Sequence, residues 1–247
     1  MARRGAAVVV VGNEVLTAKV MDANGALAIR RLRDLRIPLR SLEIVPDEID
    51  AIVGAVVRGR RRAAGVITSG GIGPTHDDVT VRAVALALGR SVVRLPELVA
   101  QVAKHYGPNA PAEALRLADA PEGARLLRQE GAWYPVLACD GVFMLPGVPQ
   151  LFALQLEAVL EEWEPEPAVL RNLFLSAGEP EIAHALDRIA REHPDVAIGS
   201  YPTFDRAAGY RVKLTVEHAR SEAVQRVVER LTAELPPGCV LRVEEGR

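Results

Sequence analysis

A glycine-rich segment, SGGIGPTHDDVT at residues 69–80, carries the residue types best suited to bind an anion. Its three glycines permit backbone conformations closed to other residues, which leaves several N–H groups free to converge on an oxygen-rich group. The alternative is a tight turn that only redirects the chain, for which one or two glycines suffice. We predict a phosphate cradle, formed by Ser69, Gly70, Gly71, Gly73, Thr75 and Thr80.

Several other catalytic motifs are absent from the sequence. There is no GxxxxGK phosphate-binding loop, and GIGPTH lacks the third glycine of the dinucleotide fingerprint. The chain also lacks an HExxH sequence and a GxSxG nucleophile elbow. Cys139 and Cys239 form no CxxC pair, which argues against a thiolate metal site and against a disulfide scaffold.

Two adjacent carboxylates, Asp77 and Asp78, follow the glycines directly. Because two negative charges repel a phosphate, their position predicts a divalent cation such as Mg²⁺, which binds carboxylate and phosphate oxygens together. Glu14 follows the first predicted strand and is a candidate third metal ligand or general base; it is equally well an ordinary surface glutamate. One of the two aspartates is also a candidate cap for a helix starting near Val79.

Further candidates follow other predicted strands. Lys19, Asn24 and Asp47 lie on loops or helix starts after the first two strands, where the residues that line a pocket are expected. Helix capping by Asn24 or Asp47 explains those two residues equally well. Pro146 and Gly147 belong to a rigid PGVP turn that follows another predicted strand.

Composition and charge exclude other classes of function. The 247 residues include 30 basic and 32 acidic side chains, so the broad positive field of a nucleic-acid binder is missing. The apolar run near the N-terminus is too short for a secretory signal or a membrane span. We therefore predict a cytoplasmic protein that binds neither nucleic acid nor a membrane.

Strands that alternate with helices must position these residues. Their order predicts a three-layer α/β domain with a mostly parallel sheet, in which ligands bind at the carboxyl ends of the strands. The predicted strands are 6–11, 39–45, 65–69 and 142–145, and the predicted helices are 23–36, one opening at Asp47, 81–88, 96–106 and 151–163.

The acidic, proline-containing sequence EPEP at 164–167 predicts a domain boundary, with one domain at 1–166 and a second at 167–247. The second domain reads as βαββαβ, the order of a ferredoxin-like or KH-like α+β fold. It has no GxxG loop, which argues against RNA binding. Its predicted elements are 170–175, 179–192, 196–201, 210–217, 221–235 and 239–243.

Several sequence strings resemble one known family. GNEVLTAKVMDAN, IVPDE, VITSGGIGPTHDDVT and MLPGVPQLF are similar to the molybdopterin-binding (MoaB/Mog-like) domain of the competence/damage-inducible protein A (CinA) family. SAGEPEIAHALDRI and VAIGSYP resemble the small domain that follows it in that family. A similar domain begins the eukaryotic FAD synthases, and the likeness covers nearly the whole chain.

The resemblance implies a domain that binds pterin or nucleotide phosphates and hydrolyses a pyrophosphate bond with a divalent metal, in ADP-ribose or in FAD. The residues that it carries across are Glu14, Asn24, Asp47, Gly70, Gly71, Gly73, Thr75, Asp77, Asp78 and Thr80, together with the PGVP turn at Pro146. It also implies a homo-oligomer, a dimer or a trimer. A molybdopterin-binding, adenylyl-transferring enzyme and a catalytically silent ligand-binding protein stay open as alternatives.

Three departures from the family pattern concern the substrate side of the site. The usual glycine near position 18 is Ala18, the segment NAPAEALRLADAPEGA is altered, and the final turn reads GVPQLF instead of GPPxEM. The chain also stops before the amidohydrolase domain that often follows in this family, so that activity is not carried over.

Overall fold

The apolar run AAVVVV forms strand β1 (Ala6–Val11), and every residue of this strand is buried. Strands with small and β-branched residues on both faces fit a sheet that is covered by helices on both sides. The structure is a computed structural model, and it describes residues 5–107, 111–165 and 167–246.

The chain divides into two units, Met1–Pro165 and Glu166–Arg247. Glu166, where the sequence analysis sets the domain boundary, lies outside the described residues. The strands of the first unit are β1, β2 (Leu39–Val45), β3 (Gly65–Ser69), β4 (Val92–Arg94), β5 (Asp119–Pro121), β6 (Arg125–Leu127), β7 (Val136–Cys139) and β8 (Val142–Leu145). Its helices are α1 (Asn13–Leu16), α2 (Ala23–Asp34), α3 (Ile49–Arg62), α4 (Thr80–Leu88), α5 (Pro96–Tyr106) and α6 (Pro149–Leu160), with a 3-10 helix at Ala112–Ala118.

The main sheet of this unit has six strands in the order β2-β1-β3-β8-β7-β6. The pairs from β2 to β8 are parallel, and the two pairs that follow are antiparallel. β4 and β5 form a separate antiparallel pair. Because β2, β1, β3 and β8 run in one direction, their carboxyl ends all meet at the same edge of the sheet.

Helices cover both faces of the main sheet. Ala7, Val9 and Val11 pack on one side, in a core that includes Ile52 of α3 and Val84 of α4. The alternate residues Ala6, Val8 and Val10 pack on the other side, in a core that includes Leu32 of α2 and Phe152 of α6. Since side chains of a strand alternate between its two faces, β1 lies in the middle of three layers. The predicted α/β fold with a mostly parallel sheet is confirmed.

Several elements differ from the sequence prediction. The short helix α1 and strands β4–β7 were not predicted, because each is only three or four residues long and shows no clear periodicity. α3 starts at Ile49 after an N-cap at Glu48, so Asp47 does not cap this helix. α2 is capped by Asp22, whose side chain accepts a hydrogen bond from the Gly25 N–H, so Asn24 does not cap that helix either.

The second unit contains β9 (Val169–Leu175), α7 (Glu179–Glu192), β10 (Ala197–Pro202), a 3-10 helix at Arg206–Ala208, β11 (Val212–His218), α8 (Ser221–Glu234) and β12 (Val240–Glu245). Its sheet is antiparallel throughout, in the order β10-β11-β9-β12. Ile182 of α7 and Leu231 of α8 share one core with Leu214 of β11. The predicted βαββαβ order of the small α+β domain is therefore confirmed.

Both cysteines of the chain are free and buried. Burial raises the pKa of the Cys139 and Cys239 thiols, which disfavours the reactive thiolate. No helix within the described ranges is long and apolar enough to cross a bilayer.

The core predicts a matched pair of stability effects. Leu156 on α6 is fully buried, whereas Leu86 on α4 keeps 60% of its surface exposed. We expect Leu156→Ala to lower the free energy of unfolding by about 2–5 kcal/mol, because it removes buried apolar surface and leaves a cavity. Leu86→Ala should change it by about 0.5 kcal/mol or less. Urea unfolding measures both, and equal effects would contradict this assignment of the core.

Candidate functional site

Four of the predicted site segments lie at one edge of the main sheet. Asp47 follows β2, Glu14 follows β1, Gly70 follows β3, and Pro146 follows β8. Since these strands are parallel neighbours in the order β2-β1-β3-β8, the chain segments that follow them lie side by side. Residues far apart in sequence thereby come together at the edge where ligands of open α/β sheets bind.

Gly70 occupies the most restricted position at this edge. Its φ is +100°, and an added Cβ would lie 2.3 Å from the backbone oxygen of Val11. Its N–H donates to the Leu145 oxygen at 3.0 Å, so the backbone after β3 is held to the end of β8. Both the positive φ and the close approach to Val11 require glycine at this position.

Gly71 also has a positive φ, +69°, and an added Cβ would lie 2.3 Å from Thr80 Oγ1. Gly73 packs against Asp78, whose Oδ2 would be 2.6 Å from a Cβ at that position. The backbone N–H groups of Gly71, Ile72 and Gly73 donate no hydrogen bond within the described part of the chain. These are the unpaired donors that a phosphate cradle requires.

Three predicted site residues hold the loops instead of lining the cavity. Thr80 is buried, and its hydroxyl donates to the Gly70 oxygen at 2.8 Å. Asn24 is also buried, and its Nδ2 donates to Ser69 Oγ at 2.9 Å and to the Gly147 oxygen at 2.8 Å. Asn24 and Ser69 thus tie the start of α2 to the turn after β8.

Asp77 and Asp78 converge on one hydroxyl, that of Thr75. Thr75 Oγ1 lies 2.6 Å from Asp77 Oδ1 and 2.5 Å from Asp78 Oδ2, and because it has one hydrogen it donates to one of them at a time. Asp78 Oδ2 also accepts from the Thr75 N–H at 2.8 Å. The hydrogen bond from Thr75 is the main cause that lowers the pKa of Asp77.

Neither aspartate caps a helix. α4 starts at Thr80, and its N-cap residue Val79 makes no side-chain capping bond. The expectation that Asp77 or Asp78 caps this helix was wrong, because both carboxylates turn back to Thr75 within their own loop.

Glu14 and Asp47 lie on the neighbouring segments. The Asp47 carboxylate accepts a hydrogen bond from the Asn13 N–H at 2.7 Å and thereby fixes the start of α1. Glu14 is exposed on the first turn of α1, and its carboxylate folds back toward Gly12, where an added Cβ would lie 2.5 Å from Glu14 Oε1. Asp47 therefore positions the helix that carries Glu14.

These segments surround a cavity of about 640 Å³. Nine of the predicted site residues line it: Glu14, Asp47, Gly70, Gly71, Gly73, Asp77, Asp78, Pro146 and Gly147. The other five do not: Lys19, Asn24, Ser69, Thr75 and Thr80. Lys19 is exposed on the segment after α1, and its backbone N–H donates to the backbone oxygen of Glu14 at 2.9 Å.

The fit of a divalent cation rests on Asp77 and Asp78. Within the ranges that the structure describes, no three His, Cys, Asp or Glu side chains are grouped so that they could hold a metal ion. Glu14 shares the cavity with the two aspartates but does not form such a group with them. Mg²⁺ commonly binds through one or two carboxylates plus substrate phosphates, so the two aspartates fit this kind of ion.

An aromatic and aliphatic wall completes the cavity, and sequence reasoning missed it. Tyr106, Trp133 and Tyr134, which are three of the ten aromatic residues of the chain, line the cavity together with Leu117, Val148, Leu151 and Leu154. The adjacent aromatic pair WY in a chain with 4% aromatic residues is the signal that could have indicated it. Burial raises the pKa of Tyr134, and its hydroxyl donates to the Leu117 oxygen at 2.7 Å.

Comparison with known proteins assigns both units to families. Residues 7–166 match the family described as "Probable molybdopterin binding domain", and residues 167–244 match "FAD synthase, middle domain". The first match covers more than half of the chain, so the chain belongs to the molybdopterin-binding-domain family. The predicted resemblance to this family, with its CinA and FAD synthase relatives, is confirmed.

Individual relatives agree with this assignment. A protein of Aeropyrum pernix is 33% identical over 88% of this chain and 89% of its own length. A "Probable FAD synthase" of Caenorhabditis elegans is 28% identical over 93% of this chain, which spans 49% of that enzyme. The solved structure of a CinA protein of unknown function from Thermoplasma acidophilum has a TM-score of 0.61 and 29% identity, covering 66% of this chain and 99% of its own.

The buried contact between Thr80 and Gly70 predicts a specific loss of stability. Thr80→Val keeps the shape of the side chain but removes the hydroxyl that binds the Gly70 oxygen, so we expect the free energy of unfolding to fall by about 1–3 kcal/mol. Thr17→Val is the matched control, because the Thr17 hydroxyl donates to the Asn13 oxygen at an exposed site where water can replace it. Urea unfolding of both variants compares them, and a loss no larger for Thr80→Val would contradict the role of this bond.

The contact between Thr75 and Asp77 predicts a change in titration. Because the lowered pKa of Asp77 depends mainly on the Thr75 hydroxyl, Thr75→Val should raise it toward the ordinary range of an aspartate. A carboxyl whose pKa is lowered by folding stabilises the fold above its unfolded-state pKa, and this contribution is lost as pH falls through the folded-state pKa. Carbon-13 NMR titration of the aspartates measures the pKa of Asp77. An unchanged pKa of Asp77 in the Thr75→Val variant would disprove the contact.

Proposed function

We propose that the cavity binds a phosphorylated nucleotide-like or pterin compound and that the protein hydrolyses a pyrophosphate bond, in ADP-ribose or an FAD-like substrate, with a divalent cation. One observation carries this proposal: Gly71, Ile72 and Gly73, whose N–H groups have no acceptor among the described residues, line the cavity together with Asp77 and Asp78. Unpaired backbone donors suit a phosphate, and paired carboxylates suit a hard cation.

The charges around the cavity support the need for a cation. Its lining includes the carboxylates of Glu14, Asp47, Asp77 and Asp78, and no lysine or arginine among the described residues. A pyrophosphate placed there with backbone donors alone would be repelled by the acidic side chains. Asp77 and Asp78 would hold a divalent cation that offsets this repulsion, and the amides of the glycine loop would orient one phosphate.

The divalent cation would neutralise the phosphate oxygens and act as a Lewis acid when bound. The glycine-loop amides would bind the oxygens of one phosphate, and Glu14, exposed at the opening of α1, would accept the proton of the attacking water. Hydrolysis breaks one P–O bond of the bridge and forms one P–O bond to water, which leaves two phosphate monoesters. From ADP-ribose these products would be AMP and ribose 5-phosphate.

A second candidate function is adenylyl transfer or molybdopterin binding in cofactor biosynthesis. The observation that favours it is the match of residues 7–166 to a probable molybdopterin binding domain. Such a protein would bind a pterin more tightly than ADP-ribose and would release no AMP in the absence of an acceptor.

A substrate panel separates these functions. ADP-ribose, FAD, NAD and coenzyme A are each incubated with the protein and Mg²⁺, Mn²⁺ or Co²⁺, and release of the two phosphate monoesters, AMP among them, is compared with a chelator control. We expect metal-dependent release of AMP from ADP-ribose or FAD. Binding of a pterin without any release would favour the second candidate, and binding of a nucleotide without release under any metal would indicate a silent ligand-binding protein.

The two aspartates predict the effect of mutation on turnover. Asp77→Asn and Asp78→Asn should each lower kcat/KM by about 100-fold or more, because loss of a carboxylate that holds the cation costs on the order of 3 kcal/mol of transition-state stabilisation. Asp187→Asn, an exposed carboxylate on α7 of the second unit, is the control and should leave the rate unchanged. Thermal unfolding of all three shows whether a lost rate reflects chemistry; equal loss of rate and fold would overturn the assignment.

A further inference from the structure

Three aromatic residues and a histidine form a cluster at the wall of the cavity. The indole of Trp133 stacks on the imidazole of His105, with ring centroids 3.8 Å apart and planes 13° from parallel. The rings of Tyr106 and Tyr134 meet Trp133 at steeper angles, with centroids at 6.0 Å and 5.4 Å. Ring pairs at these distances and angles are favourable for aromatic side chains.

The cluster presents its tryptophan to the cavity. Trp133, Tyr106 and Tyr134 line the cavity, whereas His105 does not. His105 therefore covers one face of the indole without itself lining the cavity. The Gln101 side chain donates to the Trp133 oxygen, and the Tyr134 hydroxyl is bound to the Leu117 oxygen, so the cluster is held in place before a ligand binds.

The volume of the cavity exceeds what a phosphate requires. A cavity of about 640 Å³ is large enough for a small organic ligand. Part of its lining is aromatic and aliphatic, unlike the polar backbone of the glycine loop. Trp133 is only partly buried, although tryptophan carries more apolar surface than any other side chain. The exposed part of the Trp133 side chain is not packed in the core and is accessible to a ligand that can stack on it.

We infer that Trp133 is the stacking platform for a fused two-ring heteroaromatic group, a purine or a pterin, whose phosphates lie at Gly71–Gly73. Flat heteroaromatic rings stack on tryptophan regardless of their hydrogen-bonding edge, so this contact selects a flat ring and not one pattern of donors and acceptors. This inference rests on the proposed use of the cavity for a phosphorylated ligand. It adds that the aromatic wall, which the phosphate chemistry does not use, determines the class of ligand.

Tryptophan fluorescence tests the platform directly, because the chain has only two tryptophans. Trp163 packs against Phe143 at 5.2 Å and does not line the cavity, so Trp163→Phe leaves Trp133 as a single reporter at the site. We expect AMP, adenosine and neopterin, each with Mg²⁺, to quench this fluorescence, and ribose 5-phosphate to leave it unchanged. Tighter quenching by neopterin than by adenosine would assign the ring as a pterin, and the reverse order would assign it as a purine.

Calorimetry of Trp133→Leu measures the contribution of stacking. We expect its affinity for AMP to fall about ten-fold or more while its affinity for ribose 5-phosphate changes less than two-fold, since leucine keeps the wall apolar but removes the ring. An unchanged affinity for AMP, or equal losses for AMP and ribose 5-phosphate, would overturn the inference. Trp163→Phe is the control, and thermal unfolding of both variants shows whether the fold is intact.

The platform and the proposed function fail in different ways. If adenosine quenches Trp133 and AMP binds no more tightly than adenosine, the platform stands and the phosphate site at the glycine loop is wrong. If ribose 5-phosphate binds and loses affinity in Asp78→Asn, but no ring compound quenches Trp133, the phosphate site stands and the platform is wrong. If none of the four compounds binds, both are overturned.

Discussion

The close approach of Gly70 to the end of β1 is the constraint on which the site depends. The Gly70 backbone passes where a Cβ would lie 2.3 Å from the Val11 oxygen, its N–H is bound to Leu145 at the end of β8, and its carbonyl is bound by the Thr80 hydroxyl. These contacts join the ends of β1, β3 and β8 to the start of α4. They hold both flanks of the glycine loop, in which the N–H groups of Gly71, Ile72 and Gly73 have no acceptor within the described ranges.

The cavity combines two chemically different walls. One carries backbone donors and carboxylates, with Asp77 and Asp78 both directed to Thr75, and the other carries Tyr106, Trp133 and aliphatic side chains. A small inorganic anion would use only the first wall. A compound that joins a flat ring to a pyrophosphate through a sugar or a short chain would use both, and nucleotides and phosphorylated pterins have this design.

The sequence allowed much of the fold to be predicted, together with the glycine and carboxylate part of the cavity but not its aromatic part. Long periodic segments such as β1 and α3 were found because burial leaves a regular apolar pattern in the sequence. The three- and four-residue strands β4–β7 left no such pattern, and β4 pairs with β5 only after α5 and the 3-10 helix at Ala112–Ala118 have intervened. Asn24 and Asp47 looked like helix caps, but each bonds to a group that the sequence could not place beside it.

The sequence by itself determined the family, the α/β architecture and the residue types of the glycine loop, because these depend on local backbone freedom and on periodic burial. Only the tertiary structure decided which side chains face the ligand space. Thr80, Ser69 and Asn24 are in the motifs but hold loops, whereas Trp133 lies outside the motifs and lines the cavity. The physical reason is that the direction of a side chain depends on how distant strands and helices pack, which spacing along one chain does not record.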